Sequence, residues 1–565
     1  MKVSDYIVDF LIKRGVADVF GYPGGMVTYI MSSLSKRQDE IKSHLLYHEQ
    51  GVSFALCGYC QVTEKPSMAY ATSGPGATNL ITGICNAYFD SIPTLFVTGQ
   101  VNTFESKSGL GVRQKGFQET DIVSMVKSVT KYCAYVDNAL DIKYHLEKAF
   151  YLMKEGRSGP VLLDIPMNIQ RAEIEEEKLN TFEPEIKKTW SDKFNKVFNV
   201  ALCQSRRPCV ILGAGIKTSG TIEQARAFVR AFNLPVVSSM PAVDVMPAGY
   251  EHYYGFIGAY GHRCANFIVA KADLLIVLGS RLDCRQTGAD RVQFGRGKTI
   301  VRVDIDGEEL NHSVGNVKVD INTDLQSFFN CIKVSAKDVW SDWRVVCQKI
   351  RTNLDGIDKN NIQEIIKKIS AKIADDSIVA SDVGQNQVWI AQHFEFKKGQ
   401  KLITSSGHGA MGYSLPGAIG AYYATGQKVF SFNGDGGLQM NIQELHVVSE
   451  KKLPIKIIVF NNSALGMIRH FQEMYFDADY FHTVDGNGYD APNIKKIAKA
   501  YDIRYSRIIT VKDVELINFD DGQPEIIEIF LSGDTYVFPK LEFGRPIQDQ
   551  EPLLDRTLLD DIMEL

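Results

Sequence analysis

The chain contains no uninterrupted run of about eighteen apolar residues, the length a membrane-crossing helix needs. It also lacks a basic excess: 62 Lys and Arg stand against 67 Asp and Glu, for a formal net charge of −5. That balance offers no broad electrostatic footprint for a phosphate backbone and argues against a nucleic-acid partner. No short-period repeat or low-complexity tract is present, which excludes a solenoid or a linker-rich chain. The opening MKVSDYIVDFLIKRG reads as amphipathic helix and has no signal-peptide arrangement, so a cytoplasmic protein without a membrane attachment is expected. The ten cysteines are scattered, and reduced thiols are expected rather than a disulfide framework. One pair, Cys57 and Cys60 in LCGYC, has redox-motif spacing. It sits beside Ala55, Leu56 and Gly58 and reads better as buried helix, with Cys as a small apolar residue.

What the chain does have is alternation. Short β-rich runs recur through all 565 residues: PSMAYATS, TLFVTGQ, GPVLLDIP, CVILGAG, LPVVSSM, ADLLIVLGS, TIVRVDID, KVFSFNGD and IKIIVFNN. Several are apolar almost without interruption, as strands covered on both faces are. Helical stretches follow them, so the fold class is α/β, with doubly wound parallel sheets. The charged stretch RAEIEEEKLNTFEPEIKKTW (171–190) reads as a solvated linker, and a second divider lies around VSAKDVWSDWRVVCQKIRTN (334–353). Three domains result, 1–175, 190–335 and 355–540, followed by a C-terminal tail, 541–565.

The strongest chemical signal is KVFSFNGDGGLQMNIQEL (428–445). It puts Gly434-Asp435-Gly436-Gly437 at the end of a strand and the start of a helix. Glycines there let backbone N–H groups approach a phosphate, and a helix start favours negative charge. Asp435 suits a hard cation such as Mg²⁺. The next apolar strand, IKIIVF, ends in Asn461-Asn462. Carboxyl ends of neighbouring parallel strands lie together where α/β ligands bind, so Asp435 and Asn462 can share one metal ion, with the Ala464 carbonyl as a third oxygen. GDG, then 24 residues (437–460), then NN, each closing an apolar strand, resembles the motif of the thiamine diphosphate (ThDP) enzymes. The resemblance implies Mg²⁺ or Ca²⁺ held by Asp435, Asn462 and Ala464 and anchoring the diphosphate, with Gly434, Gly436 and Gly437 forming the turn.

Other stretches are similar to the same family. SDVGQNQVWIAQ (381–392) resembles the second phosphate-contacting turn, which gives diphosphate contacts to Val383, Gly384, Gln385 and Asn386. SSGHGAMGYSLPGAIGA (405–421) resembles the strip that shapes the cofactor. There Met411 bends the two rings into a V, and the Gly409 carbonyl accepts a bond from the pyrimidine amino group. Met467 is placed with these cofactor residues. VADVFGYPGG (16–25), LLYHEQGVSFAL (45–56), ATSGPGATNLITGICNAYFDSIPTLFVTGQV (71–101) and GFQETDIV (116–123) resemble the acetohydroxyacid (acetolactate) synthases and their close relatives. The likeness weakens in the last thirty residues. The three domains are then a pyrimidine-binding domain, a central flavin-binding-like domain and a diphosphate-binding domain. GAGIKTSG, GAYGHRCAN, LGSRLDCRQTG and VDIDGEEL match flavin-binding segments of this branch, which implies FAD in a structural role, with Arg281, Asp304 and Asp306 as contacts.

Glu49 in LLYHEQGVSF is, taken alone, a helix-start acid answering the helix dipole. The resemblance gives it a chemical role as the carboxylate that bonds to pyrimidine N1′ and activates the cofactor. Gln118 and Phe117 border the reacting atoms, and Gly24 and Gly25 admit them closely. In this family the pyrimidine and diphosphate sides come from different subunits, which implies a homodimer or homotetramer with sites at the interface. The implied reaction takes a 2-oxo acid, expected to be pyruvate, loses CO₂ and passes the two-carbon unit to an acceptor carbonyl.

Three positions depart from the synthase pattern. Met167, in GPVLLDIPMNIQ, stands where those synthases usually carry a lysine, a point charge suited to a carboxylate. Phe471 stands where they have a tryptophan. Arg113 and Lys115 lie in an altered stretch before FQE, either as solvated loop charges or facing an anionic acceptor. Arg285 is retained, but the residue before it is Cys284 rather than Asp. The pattern resembles synthase-like ThDP proteins associated with unusual sugars, so a changed acceptor is expected, such as a nucleotide-linked keto sugar. A true acetolactate synthase and a non-ligating decarboxylase are the alternatives.

Overall fold

The computed structural model describes residues 1–185, 194–315, 317–333 and 338–565. Residues 186–193, 316 and 334–337 lie outside the described residues, 186–190 and 334–337 belonging to the two stretches read as dividers.

The first sheet is built from β1 (Asp18–Gly21), β2 (Lys42–Leu45), β3 (Met68–Ala71), β4 (Leu95–Gln100), β5 (Tyr132–Tyr135) and β6 (Val161–Pro166). The second holds β7 (Pro208–Leu212), β8 (Val236–Ser238), β9 (Tyr253–Phe256), β10 (Leu274–Leu278), β11 (Thr299–Asp304) and β12 (Val317–Asn322). The third holds β13 (Ile378–Ser381), β14 (Lys401–Thr404), β15 (Val429–Gly434), β16 (Ile455–Asn461), β17 (Arg504–Ile508) and β18 (Glu525–Phe530). All pairings within the three sheets are parallel, as in β15 against β16 and β4 against β6. The first sheet runs β2-β1-β3-β4-β6-β5 and the third runs β14-β13-β15-β16-β18-β17, the same order strand for strand. The second runs β12-β11-β10-β7-β8-β9, the order of a dinucleotide-binding sheet, reversing direction between β7 and β10. The expected fold class, three α/β domains, is what the structure shows.

Apolar runs without alternation follow from this layering. Helices cover both faces, so every residue of β7, β10 and β16 is buried. The two stretches read as dividers are less solvated than their charge suggests. Ile174 and Leu179 join the first domain's core. The helix Ser341–Leu354 buries Trp343, Cys347, Ile350 and Leu354 in the middle domain's core. The Trp340 and Trp343 indoles donate to the carbonyls of Ser205 and Pro208, each at 3.0 Å. The 541–565 segment read as a tail also packs on the middle domain, through Ile547, Leu554 and Ile562. The buried Arg263 grips it by donating to the carbonyls of Gln550 and Pro552.

The first and third domains share one continuous core. Its seam is the crossing of helix Glu49–Thr63 with helix Ser414–Thr425, where backbones meet without side chains between them. A Cβ on Gly58 would lie 2.2 Å from the Gly417 carbonyl oxygen, and one on Gly420 would lie 1.8 Å from that of Ala55. Neither carbonyl can swing aside as a side-chain end would. Gly420→Ala is therefore expected to cost about 1–3 kcal/mol of stability through overpacking, read as an earlier thermal unfolding midpoint. An unchanged midpoint would contradict the crossing. Cys57 and Cys60 lie in this helix, both buried, and burial pushes the Cys57 thiol up to about 12. These are packing thiols rather than reactive ones.

Candidate active site

The carboxyl edge of the third sheet carries the densest chemistry. β13 ends at Ser381, and the backbone turns through Asp382, Val383 and Gly384, where φ is +139° and suits only glycine. Asn386 pins this turn by donating to the Asp382 carbonyl at 2.8 Å and the Phe432 carbonyl at 3.4 Å. Gln385 reaches sideways: its amide donates to the Thr535 carbonyl, and its oxygen accepts from Asn462 at 3.0 Å. That oxygen fills the space a Cβ on Gly466 would need. The start of helix Gly466–Tyr475 thus lies against the turn. The structure brings together Gly384, Gln385, Asn386, Gly434 and Asn462, which the sequence places 78 positions apart at the extremes.

Asp435 opens the helix Asp435–Met440 directly after β15 and is 2% exposed. One of its oxygens, Oδ1, accepts from the Gly436 N–H at 2.7 Å and the Tyr489 hydroxyl at 3.0 Å. The other, Oδ2, is buried with no hydrogen-bond partner. Burial raises the carboxyl's pKa above its ordinary value, against the Tyr489 hydroxyl and nearby backbone N–H groups that act to lower it. A buried carboxylate oxygen left open in this way fits a cation ligand. Asn462 and Ala464 are buried beside it at the end of β16. Between them Ser463 adopts φ +50°, held by its N–H donating to the Asn461 side chain at 3.0 Å. Asn461 is held in turn by the buried Glu528 of β18, at 2.6 Å. The first Asn of the pair is thus a support and the second is free to ligate. Among the described residues no group of three or more His, Cys, Asp or Glu side chains is placed to hold a metal. A site of one carboxylate, one amide and one carbonyl lies outside that donor set.

The strip from Gly409 to Tyr413 faces this edge. Gly409 and Gly412 have φ of +68° and +82°. Asp382 accepts from the Gly412 N–H through both oxygens, at 2.9 and 3.1 Å, and from Val383 at 2.7 Å. One buried carboxylate therefore ties the Val383–Asn386 turn to the strip, and burial pushes its pKa up to about 7. Met411 approaches the glycine turn, its methyl 3.7 Å from where a Gly436 Cβ would sit. Met467, partly buried, packs on the third domain's core.

On the first domain, β2 leads into the helix Glu49–Thr63, which His48 caps by accepting from the Gln50 N–H. Glu49 is 8% exposed and accepts from Asn79 at 3.0 Å. Gly76 leaves it room, since a Cβ there would lie 3.2 Å from Oε1. A second acid lies under the same helix start. Glu444 accepts from the N–H groups of Tyr47 and His48, and burial pushes it up to about 7. A Cβ on Gly25 would meet nothing within 4 Å, whereas one on Gly24 would collide with Thr72. Gly25 thus faces open space. Met167 opens the short helix Met167–Gln170 at the end of β6. That helix is tied to the same rim: Gln170 donates to the Met26 carbonyl at 2.7 Å.

Phe117 is 78% exposed and Gln118 has φ +62°, packed against Gly74. The loop that carries them is organised by Glu119. Its carboxylate accepts from the Ser106 hydroxyl and from the N–H groups of Lys107, Lys115 and Gly116. Burial acts to raise its pKa, but these donors outweigh it and leave the carboxyl below its ordinary value. The Lys115 ammonium donates to the Phe104 carbonyl within the loop. Phe471, 40% exposed on helix Gly466–Tyr475, meets Tyr475 and Phe476.

A cavity of about 430 Å³ opens at the middle sheet, walled by all three domains. Arg281, Arg285 and Asp304 line it, with Gly215 and Gly279 at the reversal between β7 and β10. The two glycines interlock there, a Cβ on Gly215 falling 2.8 Å from the Gly279 Cα. Asp306 is not on the wall but pairs with Arg157, which is, at 3.3 Å. The cavity's size, its position at the reversal and its arginines fit a dinucleotide such as FAD. Asp90 lines the same cavity and accepts from the N–H groups of Ser406 and Gly407, with burial pushing it up to about 6.

Glu119, Asp382, Glu444, Glu528 and Tyr489 are the residues missed from sequence. Glu119 and Asp382 adjoin assigned positions, and Glu444 lies within the glycine-turn stretch itself. Glu528 carried no signal.

Comparison with known proteins agrees with this layout. Residues 1–125 match the N-terminal TPP binding domain of thiamine pyrophosphate enzymes, 199–332 the central domain and 382–519 the C-terminal TPP binding domain. The chain is 33% identical over 558 residues to the acetolactate synthase large subunit of Lactococcus lactis subsp. lactis, covering 96% of this chain and 94% of that protein. It is 34% identical over 557 residues to the acetolactate synthase isozyme 2 large subunit of Escherichia coli, covering 96% and 98%. Against the chloroplastic acetolactate synthase 2 of Nicotiana tabacum it is 32% identical over 575 residues, covering 97% and 85%.

Proposed function

This chain belongs to the acetolactate synthase-like branch of the thiamine pyrophosphate enzymes, and from that premise we propose that it decarboxylates pyruvate and transfers the two-carbon unit to an acceptor other than a second pyruvate, such as a nucleotide-linked keto sugar. It is a ThDP-dependent carboligase or decarboxylase; the donor and the acceptor are the proposal. Bound ThDP supplies a carbon nucleophile and an electron sink for the departing CO₂. Asp435, Asn462 and the Ala464 carbonyl hold Mg²⁺ or Ca²⁺, and the Val383–Asn386 turn meets the diphosphate. Glu49 holds a proton at the pyrimidine, Gly409 orients the amino group, and Gln118 hydrogen-bonds the substrate. FAD occupies the middle cavity. Two exposed aromatic patches support a homodimer: Phe104 and Phe117 on the first domain, and Phe471, Tyr475, Phe476 and Phe543 around the third.

The observation that carries the acceptor reading is Met167. It stands on the rim beside Gly25–Met26, tied there through Gln170, where a lysine would hold an acceptor carboxylate. An apolar, adaptable side chain suits a larger acceptor with no carboxylate beside its reacting carbonyl. Acetolactate formation from two pyruvates is the second reading, favoured by the likeness along the whole chain to acetolactate synthases. Purified protein with ThDP, Mg²⁺ and pyruvate alone is expected to form acetolactate slowly. A keto-sugar acceptor is expected to raise pyruvate consumption roughly tenfold or more. Acetolactate formed as fast as by a dedicated synthase overturns the acceptor proposal, and release of free aldehyde alone makes the protein a decarboxylase. Flavin absorbance of the same preparation reports on FAD.

A further inference from the structure

We propose that the Tyr489 hydroxyl is an outer-shell donor that fixes which oxygen of Asp435 meets the metal ion. The inference rests on the metal reading of Asp435, Asn462 and Ala464 above. A carboxylate has two oxygens and about four lone-pair directions, so a buried one needs its unused oxygen occupied. On Asp435, Oδ1 is committed twice, to the Gly436 N–H at 2.7 Å and to the Tyr489 hydroxyl at 3.0 Å. Oδ2 has neither solvent nor a hydrogen-bond partner. The ionised carboxylate can only accept, so the hydroxyl donates, in a charge-assisted bond.

Tyr489 is brought there by local sequence. DGNGYD (485–490) sets glycine at positions 486 and 488, with φ +73° and +86°. The chain reverses through them, and the Tyr489 N–H returns to the Val484 carbonyl at 3.4 Å. The same short segment meets the other end of the ligand set. Val484 bridges Ala464, and the Leu465 N–H donates to the Thr483 carbonyl at 2.9 Å. Gly436 makes room, because a Cβ there would lie 3.1 Å from the hydroxyl oxygen. One six-residue span, Val484–Tyr489, therefore touches both Asp435 and Ala464.

Partners of this kind fix ligand orientation, and losing one typically weakens metal binding by ten- to a hundredfold. Tyr489→Phe removes the hydroxyl and keeps the ring. With ThDP saturating, Mg²⁺ titrated into the full chain by calorimetry is expected to bind roughly tenfold more weakly to Tyr489→Phe, while the unfolding midpoint without metal stays that of the parent. Affinity within about twofold of the parent overturns the proposal. A midpoint that falls together with affinity also overturns it, making Tyr489 a packing residue. Asp435→Asn is the separate control: if it binds Mg²⁺ as the parent does, the metal reading itself fails, whatever Tyr489→Phe shows.

Discussion

Glu49→Gln is expected to lower kcat by about 10²–10⁴-fold, the range that a positioned proton-transfer group contributes, while folding and Mg²⁺–ThDP binding stay near the parent's. The substitution keeps side-chain length and leaves an amide oxygen for the Asn79 donor, so the local bond at 3.0 Å has a replacement. It removes the group's ability to take up and give back a proton. Were Glu49 merely a helix-start acid, the charge would contribute only about 0.3–1 kcal/mol to stability, and turnover would not change. Steady-state turnover with calorimetric ThDP binding on the same preparation separates the two. Unimpaired turnover would refute the catalytic assignment. A loss of ThDP binding with turnover retained at saturation would make Glu49 a binding residue.

The sequence disclosed those parts of the fold whose physical demands are local. The strands legible from it, among them β4, β7, β10 and β16, are buried on both faces and write their environment as unbroken apolar runs. The edge strands β5, β9, β12, β14 and β17 escaped it, and β2 was marked only by the helix start that follows it. β2 is KSHL and half-exposed, and β12 carries exposed Val317 and Lys318, so neither has an apolar signature. β18 is central but is interrupted by Glu525 and Glu528, buried because Lys456 and Asn461 meet them. Pairing made those charges tolerable, and pairing across the sheet is not written in a local window.

The same distinction separates the site residues. The glycine turns and Asp435 announce themselves because the residue types and spacing that a phosphate and a cation would require are written in short local stretches. Tyr489 and Glu119 act through bonds to residues whose positions depend on loop geometry, and nothing periodic marks them. Asp306 reads with Asp304 because the two are close together in VDIDGEEL. The strand end turns between them, and Asp306 caps the following helix by accepting from the Glu308 N–H. Charge density misled in the opposite direction at 171–190 and 334–353, where single apolar residues at core spacing outweigh their charged neighbours.

Asp382 gives the second large effect, and its sign depends on pH. Burial pushes this carboxyl from 3.8 up to about 7. An unfolded chain gives up the proton near pH 4, while the folded chain keeps it until about pH 7. Between those values the folded state binds more protons, so the contribution of this group to stability falls as pH rises. The full cost, present above pH 7, is about 4 kcal/mol by order of magnitude. Asp382→Asn removes that dependence. It leaves the Oδ1 position to accept from Val383 and Gly412 but puts a buried amide NH₂ at Oδ2, donor against donor with the Gly412 N–H that now also reaches Oδ2 at 3.1 Å, an unmet group that costs about 1–3 kcal/mol. From pH 5 to pH 8 the parent's unfolding midpoint is therefore expected to fall relative to the variant's, and at pH 8 the variant is expected to be the equal or the more stable of the two, because the parent then carries a desolvated charge that the variant lacks. Other buried acids, Asp90 and Glu444 among them, shift both proteins alike, so the difference between the two curves isolates Asp382. Parallel curves from pH 5 to 8 would show that Asp382 does not titrate there. ThDP affinity is expected to fall in the variant at every pH, because the same carboxylate joins the phosphate turn to the strip that carries Gly409 and Met411.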